Sequence, residues 1–182
     1  MDTLKKDKTQ EEKIEKIAKE RVKLMEVSNL FITKEDIEKA EKEIGVPNYG
    51  PLGSIVDTRT YLRWLPEERR RETFFERNAR VVNYNVSLAV GLGLSMESLQ
   101  EEAYLMFDKL NQCLSATSGR TMWVGGTQAS EDRPASNFNC SYLGINRLGA
   151  FTTLAELLML GVGVGLRVFP EDIELLPKIS GG

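Results

Sequence analysis

Two cysteines, Cys113 and Cys140, carry the side chains of this 182-residue sequence that are best suited to redox or nucleophilic chemistry. The sequence contains no histidine, which excludes a complete Ser-His-Asp triad, a Cys-His pair and a histidine-ligated metal site within it. Two cysteines without histidine also argue against a structural zinc site or a disulfide scaffold. Any chemistry here must therefore use a thiol, carboxylates, backbone amides or a second chain.

Cys140 lies in "SNFNCSYLG", residues 136–144, among small polar and aromatic residues. A nucleophilic cysteine needs a nearby cation or helix N-terminus, and a redox cysteine needs a second thiol within reach. The neighbouring sequence supplies neither, so the residues alone leave open whether Cys140 is a reactive thiol or a buried spacer. Cys113 falls in an apolar helical stripe, which predicts a small, buried, structural thiol.

The glycines of "GVGVG", residues 161–165, do not form a dinucleotide-binding fingerprint. Leu166 occupies the place of the third glycine, and the motif follows a predicted helix and precedes a predicted strand, which is the reverse of the required order. No P-loop pattern occurs either. Two interpretations remain: a turn whose bare amides let a phosphate or sugar approach the backbone, or a plain helix-to-strand turn.

The overall composition is typical of a soluble globular protein, with 41% hydrophobic and 28% charged residues. A net charge of −3 gives no reason to expect a nucleic acid or an anionic membrane as partner. The longest apolar stretch, residues 148–169, contains Glu156 and Arg167 and is broken by glycines, so no membrane span is expected. No secretory signal is visible, and the low cysteine content fits a reducing cytoplasm.

The first part of the sequence predicts helices. Residues 1–27 are rich in Lys and Glu, with a capping-box pattern at Thr9 and Glu12, and predict a solvated helix. A second helix is predicted over residues 33–44, where Gly45 follows.

A long helix is predicted over about 67–89, preceded by Pro66, and another from Ser95 and Ser98 to Gly119. Glutamates interleave with the arginines of this region, so ion pairs along a helix face are favoured over a phosphate site. The arginines are Arg63, Arg69, Arg70, Arg71, Arg77 and Arg80.

The last part of the sequence changes character. Residues 120–144 predict loops and extended segments that include a short strand at 136–143. A buried helix over 148–160, a glycine turn at 161–165 and a second strand at 166–169 follow. The order strand, helix, strand is typical of the opening unit of an α/β sheet or barrel.

Five segments together resemble the adenosylcobalamin-dependent ribonucleoside-triphosphate reductases, which are the class II ribonucleotide reductases of the monomeric type. They are "RTYLRW", "RRETFFERNARVVNYNVSL", "SGRTMWVGGT", "SNFNCSYLGI" and "LLMLGVGVGLRV", in that order and spacing. The resemblance runs from about Gly50 to Pro177. It implies an α/β fold in which a helical N-terminal region precedes the first strand-helix-strand unit of a ten-stranded α/β barrel, here incomplete.

The resemblance divides the chain into charged N-terminal helices (residues 1–48), the helical region of the reductase (49–135) and the start of the catalytic barrel (136–182). It assigns Cys140 as a redox thiol whose partner cysteine lies outside this sequence. Substrate-binding positions are assigned to three further residues, namely Thr127, Asn139 and Gly163.

The same resemblance implies a ribonucleoside triphosphate substrate, adenosylcobalamin held mainly by protein outside this sequence, and a thioredoxin-like reductant. The radical-forming cysteine of the family lies downstream as well. We therefore expect a cytoplasmic chain that is inactive alone and acts with the remaining reductase polypeptide, as one piece of a split enzyme or as a truncated fragment.

Two other functions remain open at this point. The chain could be a non-catalytic remnant of such a reductase that keeps a nucleotide-binding or protein-binding site. It could also be a helical interaction protein built on its charged N-terminal helices, in which case deleting residues 1–45 would abolish binding to its partner.

Overall fold

A computed structural model describes residues 30–178 of the chain, as two compact units divided after Gly126. The helix predicted over residues 1–27, with its capping-box pattern at Thr9 and Glu12, lies outside the described residues.

The first unit is mainly helical. Its elements are α1 (Lys34–Glu43), α2 (Gly50–Val56), a π-helical turn (Asp57–Tyr61), β1 (Trp64–Leu65), β2 (Arg70–Arg71), α3 (Phe74–Ser87), α4 (Met96–Asn111) and α5 (Gly119–Val124). The core forms where α3 packs on α4 and α1. Its buried apolar side chains include Phe31, Ile32, Phe75, Val82, Leu99, Ala103 and Phe107.

Two capping boxes determine where α1 and α3 begin. Thr33 caps α1 and exchanges hydrogen bonds with Asp36, which confirms the helix predicted there. Thr73 and Glu76 form the same motif at the start of α3. The predicted start near residue 67 is wrong, because residues 64–71 form a short antiparallel hairpin.

Helix α4 begins at the N-cap Ser95, whose side chain accepts a hydrogen bond from the Ser98 amide. It ends at Asn111 rather than at the predicted Gly119, because Cys113 adopts a φ of 56° and turns the chain out of the helix. Cys113 is exposed, so the prediction of a buried structural thiol is wrong. Gly119 begins α5 instead, within a stretch predicted to be extended.

The predicted ion pairs between arginines and acids are present, but they join elements rather than line one helix face. Arg77 on α3 pairs with buried Asp57 of the π-helical turn. Tyr49 donates a hydrogen bond of 2.8 Å to the same carboxylate. Burial, together with this bond, raises the pKa of Tyr49 to about 12. Arg70 on β2 makes a bidentate contact with Glu76 on α3.

The second unit contains a strand-helix-strand element, as the sequence predicts. Its elements are α6 (Gln128–Asp132), a 3-10 turn (Pro134–Asn137), β3 (Cys140–Gly144), α7 (Gly149–Met159), β4 (Gly163–Arg167) and α8 (Pro170–Glu174). Strands β3 and β4 pair in parallel and form a two-stranded sheet within the described residues. A ten-stranded barrel is therefore not shown.

The glycine motif forms less of a turn than predicted. Gly161, with a φ of 77°, makes the turn, whereas Gly163 and Gly165 already belong to β4. Helix α7 is also more exposed than its apolar composition predicts. Met159 is 87% exposed, and Ala150 is the buried residue of this helix. Within residues 30–178, no helix is long and apolar enough to cross a membrane.

Candidate functional site

Cys140 begins β3 and lies opposite Gly163, which begins β4. Two residues further along the strands, Tyr142 lies opposite Gly165. Alternate residues of a strand point to the same face, so the Cys140 and Tyr142 side chains share one face of the sheet. Both are exposed, and the paired positions on β4 carry no side chain. Cys140 and Tyr142 thus place a thiol and an aromatic ring on one exposed face, which also carries Arg167 of β4.

The other face of the two strands is covered. Helix α7 packs on both β3 and β4. Ser141, Leu143 and Val164 alternate with the exposed residues and are half-buried. Within the second unit, the two faces of the strand pair therefore differ: α7 packs on one, and the exposed Cys140 lies on the other.

Gly163 contributes space rather than a free hydrogen-bond donor. Its amide donates to the Asn139 carbonyl oxygen over 2.9 Å. The amides of Gly161 and Val162 donate to the Leu158 and Leu157 carbonyl oxygens, over 2.9 and 3.0 Å. The bare amides expected of the glycine turn are therefore already used within the second unit. A Cβ atom at Gly163 would lie 3.4 Å from the Asn139 carbonyl oxygen and would project beside Cys140.

The predicted site residues fall on two elements. Asn139, Cys140 and Gly163 are brought together at the start of the paired strands. Thr127 begins α6, where its amide and carbonyl both bond to the Ser130 hydroxyl over 3.2 and 2.8 Å. The backbone of Thr127 is thus fixed by a local motif at the start of a short helix.

Sequence reasoning missed Tyr142, although the alternation of β3 placed it on the thiol's face. It also missed the ion pair at the other end of the sheet. Arg167 makes bidentate bonds of 2.8 and 2.6 Å to Asp172, which also accepts from the Phe169 amide. The Arg167 contact holds the pKa of the Asp172 carboxyl below its ordinary value. This pair anchors α8 to the end of β4.

In the first unit, sequence reasoning also missed how the "WVGG" turn is fixed. The Arg80 guanidinium binds both carboxylate oxygens of Glu72 and donates to the Gly125 carbonyl oxygen. It also donates to the Tyr61 and Met122 carbonyl oxygens, over 3.3 and 3.2 Å. A Cβ atom at Gly125 would come within 2.6 Å of the Thr121 carbonyl oxygen, so this close packing requires glycine.

Residues 30–178 contain no cluster of three or more His, Cys, Asp or Glu residues that could hold a metal ion. The whole chain lacks histidine, so it has no imidazole to offer a metal-containing cofactor. The described residues include two exposed thiols, Cys113 and Cys140, of which Cys140 lies on a paired strand.

Comparison with known proteins gives a consistent result. A family model described as the ribonucleotide reductase alpha domain matches residues 32–127. The adenosylcobalamin-dependent ribonucleoside-triphosphate reductase of Levilactobacillus brevis is 30% identical over 179 residues, covering 84% of this chain and 24% of the relative. The reductase of the same name from Lactobacillus delbrueckii subsp. bulgaricus is 35% identical over 160 residues, covering 74% and 22%.

A crystal structure of a B-12 dependent (class II) ribonucleotide reductase matches the fold with a TM-score of 0.72 and 29% sequence identity. The match covers 82% of this chain and 24% of that structure. The chain thus spans about a quarter of the length of the curated relatives it matches.

Proposed function

Because the chain belongs to the ribonucleotide reductase family, we propose that it forms the N-terminal part of an adenosylcobalamin-dependent ribonucleoside-triphosphate reductase. The substrate class and cofactor are those named for the relatives from Levilactobacillus brevis and Lactobacillus delbrueckii. The observation that carries the proposal is the exposed Cys140 thiol, which lies opposite Gly163 on the paired strand.

Cys140 would supply one of two thiols in the reduction of the ribose 2′ position. The reaction replaces the C2′–O bond with a C–H bond and releases the hydroxyl as water. Two thiols lose their hydrogens and form one disulfide, which balances the two electrons gained by the sugar. The second thiol belongs to the remaining polypeptide, and a dithiol reductant of the thioredoxin type restores both. A strand suits this role because it holds the sulfur in a fixed position.

Asn139 and Thr127 would contact the ribose and phosphates of the substrate. Asn139 immediately precedes the thiol, and its carbonyl oxygen is bonded to the Gly163 amide, which fixes the backbone at this point. Gly163 would let the sugar approach the paired strands because it has no side chain. The Thr127 hydroxyl would donate to a phosphate oxygen, since the backbone amide and carbonyl of this residue are already bonded to Ser130.

The cofactor would be held mainly by the remaining polypeptide, as the resemblance to the class II reductases implies. When bound, adenosylcobalamin supplies the radical that starts the reaction. The part played by this chain is to position the sugar against Cys140. We therefore expect no turnover by the chain alone.

The test is complementation in two parts. The purified 182-residue chain is mixed with the portion of the Levilactobacillus brevis reductase that follows the matched segment. Deoxyribonucleotide formation is then measured with adenosylcobalamin and a dithiol. We expect product only when both polypeptides are present. Turnover by the chain alone under the same conditions would refute the proposal.

The second candidate function is that of a non-catalytic remnant of a reductase. The observation in its favour is that the chain matches 24% of the length of the Levilactobacillus brevis reductase. The two functions differ in what they require of Cys140. In an assembly that turns over, Cys140→Ser abolishes repeated turnover if the chain is catalytic and has no effect if it is a binding remnant.

A further inference from the structure

Tyr142 is an exposed aromatic residue on the same face of the second unit as Cys140. Arg167 of β4 lies on this face as well, but its guanidinium is bonded to Asp172. Tyr142 is two residues beyond Cys140 on β3, which places the two Cα atoms about 6.6 Å apart along the strand. Its side chain is 66% exposed. Within residues 30–178, no group is found hydrogen-bonded to its hydroxyl. The ring is thus available to a ligand that reaches the thiol.

Gly165 explains how the ring is supported. A Cβ atom at Gly165 would lie 3.5 Å from Cδ2 of Tyr142, so the ring reaches across the paired strand at this glycine. That distance is an ordinary van der Waals contact, so the ring lies against the backbone of the paired strand at Gly165. Gly163 and Gly165 together leave the strand opposite Cys140 and Tyr142 without side chains.

The order of side chains along β3 indicates which part of a bound nucleotide would lie next to the Tyr142 ring. Asn139, Cys140 and Tyr142 follow one another from the start of the strand. In a nucleotide, the sugar lies between the phosphates and the base. If the sugar faces Cys140 and the phosphates lie on the Asn139 side, the base extends toward Tyr142.

We propose that the Tyr142 ring is the surface against which the base of the substrate nucleotide packs. The inference rests on the proposed function, because that function places the sugar at Cys140. Stacking on an aromatic side chain is tolerant of sequence, since every base has a π-face. Tyr142 would therefore strengthen binding of all ribonucleoside triphosphates without selecting strongly among them. Its phenol hydroxyl is not needed for this contact.

The experiment compares two ligands that differ only in the base: ATP and ribose 5-triphosphate. Dissociation constants are measured by equilibrium dialysis on the full chain, alone and mixed with the complementing reductase polypeptide. Tyr142→Ala should weaken ATP binding about tenfold and leave ribose 5-triphosphate binding unchanged. Tyr142→Phe should bind both ligands as the wild type does, because the ring is retained.

Phe151→Ala provides the matched control, since Phe151 is also an exposed aromatic residue of the second unit but lies on α7. It should leave both dissociation constants unchanged, and far-UV circular dichroism checks that each variant is folded. Equal weakening of both ligands by Tyr142→Ala, or no weakening, would overturn the inference while wild-type ATP binding upholds the nucleotide site. If the wild type binds ATP in neither sample, the proposed function fails together with the inference.

Discussion

The Cys140 thiol and Gly163 face each other as the first residues of two parallel strands. The position opposite Cys140 on the paired strand therefore carries no side chain. The Gly163 amide bonds to the Asn139 carbonyl oxygen, so the gap is held open by backbone hydrogen bonds. In the proposed enzyme, this arrangement would let the sugar of the substrate approach the Cys140 thiol.

Filling that gap should block the ligand without unfolding the sheet. In Gly163→Val, the added side chain projects beside Cys140, where it has little to displace except the Asn139 carbonyl oxygen at 3.4 Å from Cβ. We expect the KM for ribonucleoside triphosphate to rise at least about tenfold in the assembled enzyme, while the thermal midpoint changes little. Steady-state kinetics and thermal unfolding measure the two effects.

Gly149→Ala is the control for this change, because a Cβ atom at Gly149 meets nothing within 4 Å. It should leave the KM unchanged. A Gly163→Val enzyme with wild-type KM would show that the substrate does not pass this position.

The ion pair of Arg80 with Glu72 should stabilise the first unit strongly. The two side chains are 14% and 6% exposed, and Arg80 also binds carbonyl oxygens of the π-helical turn and of α5. Arg80→Met leaves the Glu72 carboxylate buried without its cation, which costs about 3–5 kcal/mol of unfolding free energy. Urea unfolding of the full chain measures the loss.

The control removes an exposed charge instead. Lys109 pairs with Asp108, and its side chain is 43% exposed. The urea midpoint of Lys109→Gln should therefore match that of the wild type. Arg80→Met with an unchanged midpoint would mean that the pair adds nothing to the unit.

Asn83 should hold the segment that precedes α1. Its side-chain oxygen accepts from the Phe31 and Ile32 amides over 3.2 and 2.9 Å, and its nitrogen donates to the Ile32 carbonyl oxygen. Asn83→Ala removes the partners of these buried groups, each costing about 1–3 kcal/mol when unpaired. Hydrogen exchange should show faster exchange of the Phe31 and Ile32 amides by at least about tenfold.

The comparison for Asn83 is Asn48→Ala, because Asn48 makes an exposed bond to the Gly50 amide. That variant should not change exchange at Phe31 or Ile32. Unchanged protection of these two amides in Asn83→Ala would show that the segment is held by its apolar side chains alone.

Glu76 should make the stability of the first unit depend on pH. The Arg70 contact, assisted by the Thr73 amide, holds the pKa of the Glu76 carboxyl below its ordinary value of 4.5. A depressed pKa means that the charged form stabilises the fold above pH 4.5, and that this contribution is lost as the pH falls toward the folded-state pKa. Urea midpoints should therefore decrease in this acidic range.

Glu76→Gln should show a smaller decrease over the same range, because it has no carboxyl group to protonate. Glu35→Gln changes an exposed acid of α1, and its urea midpoint should decrease with falling pH as steeply as that of the wild type. Identical slopes for all three proteins would contradict the assignment.

Local side-chain chemistry made parts of the fold predictable. Thr33 and Asp36 identify the start of α1 because the capping box uses residues three apart in sequence. The region around Pro66 misled the prediction, since Pro followed by acids suits both a helix start and a tight turn. Hydrogen bonds between residues distant in sequence determine that this region forms a hairpin and not a helix. The Glu72 carboxylate accepts from the Arg63 amide, and the hairpin occupies the place of the first predicted helical turns.

The candidate site was predictable in part. The imperfect alternation over residues 136–143 predicts a short strand that contains Cys140, whereas the glycines of residues 161–165 leave a ligand-binding turn and a plain turn both open. The register that places Gly163 opposite Cys140 depends on how α7 returns the chain, which local patterns do not encode. The exposure of Cys113 could not be predicted from local patterns either. Its own positive φ takes it out of the helix, so it lies at the surface and not in the apolar stripe.

The proposed redox role of Cys140 can be tested by comparing its serine variant with the serine variant of Cys113. In the assembled enzyme, Cys140→Ser and Cys113→Ser each remove one exposed thiol. Repeated deoxyribonucleotide formation is then followed with a dithiol in excess. We predict that Cys140→Ser falls to background while Cys113→Ser retains wild-type turnover. Sustained turnover by Cys140→Ser would contradict the assignment of Cys140 as the reducing thiol.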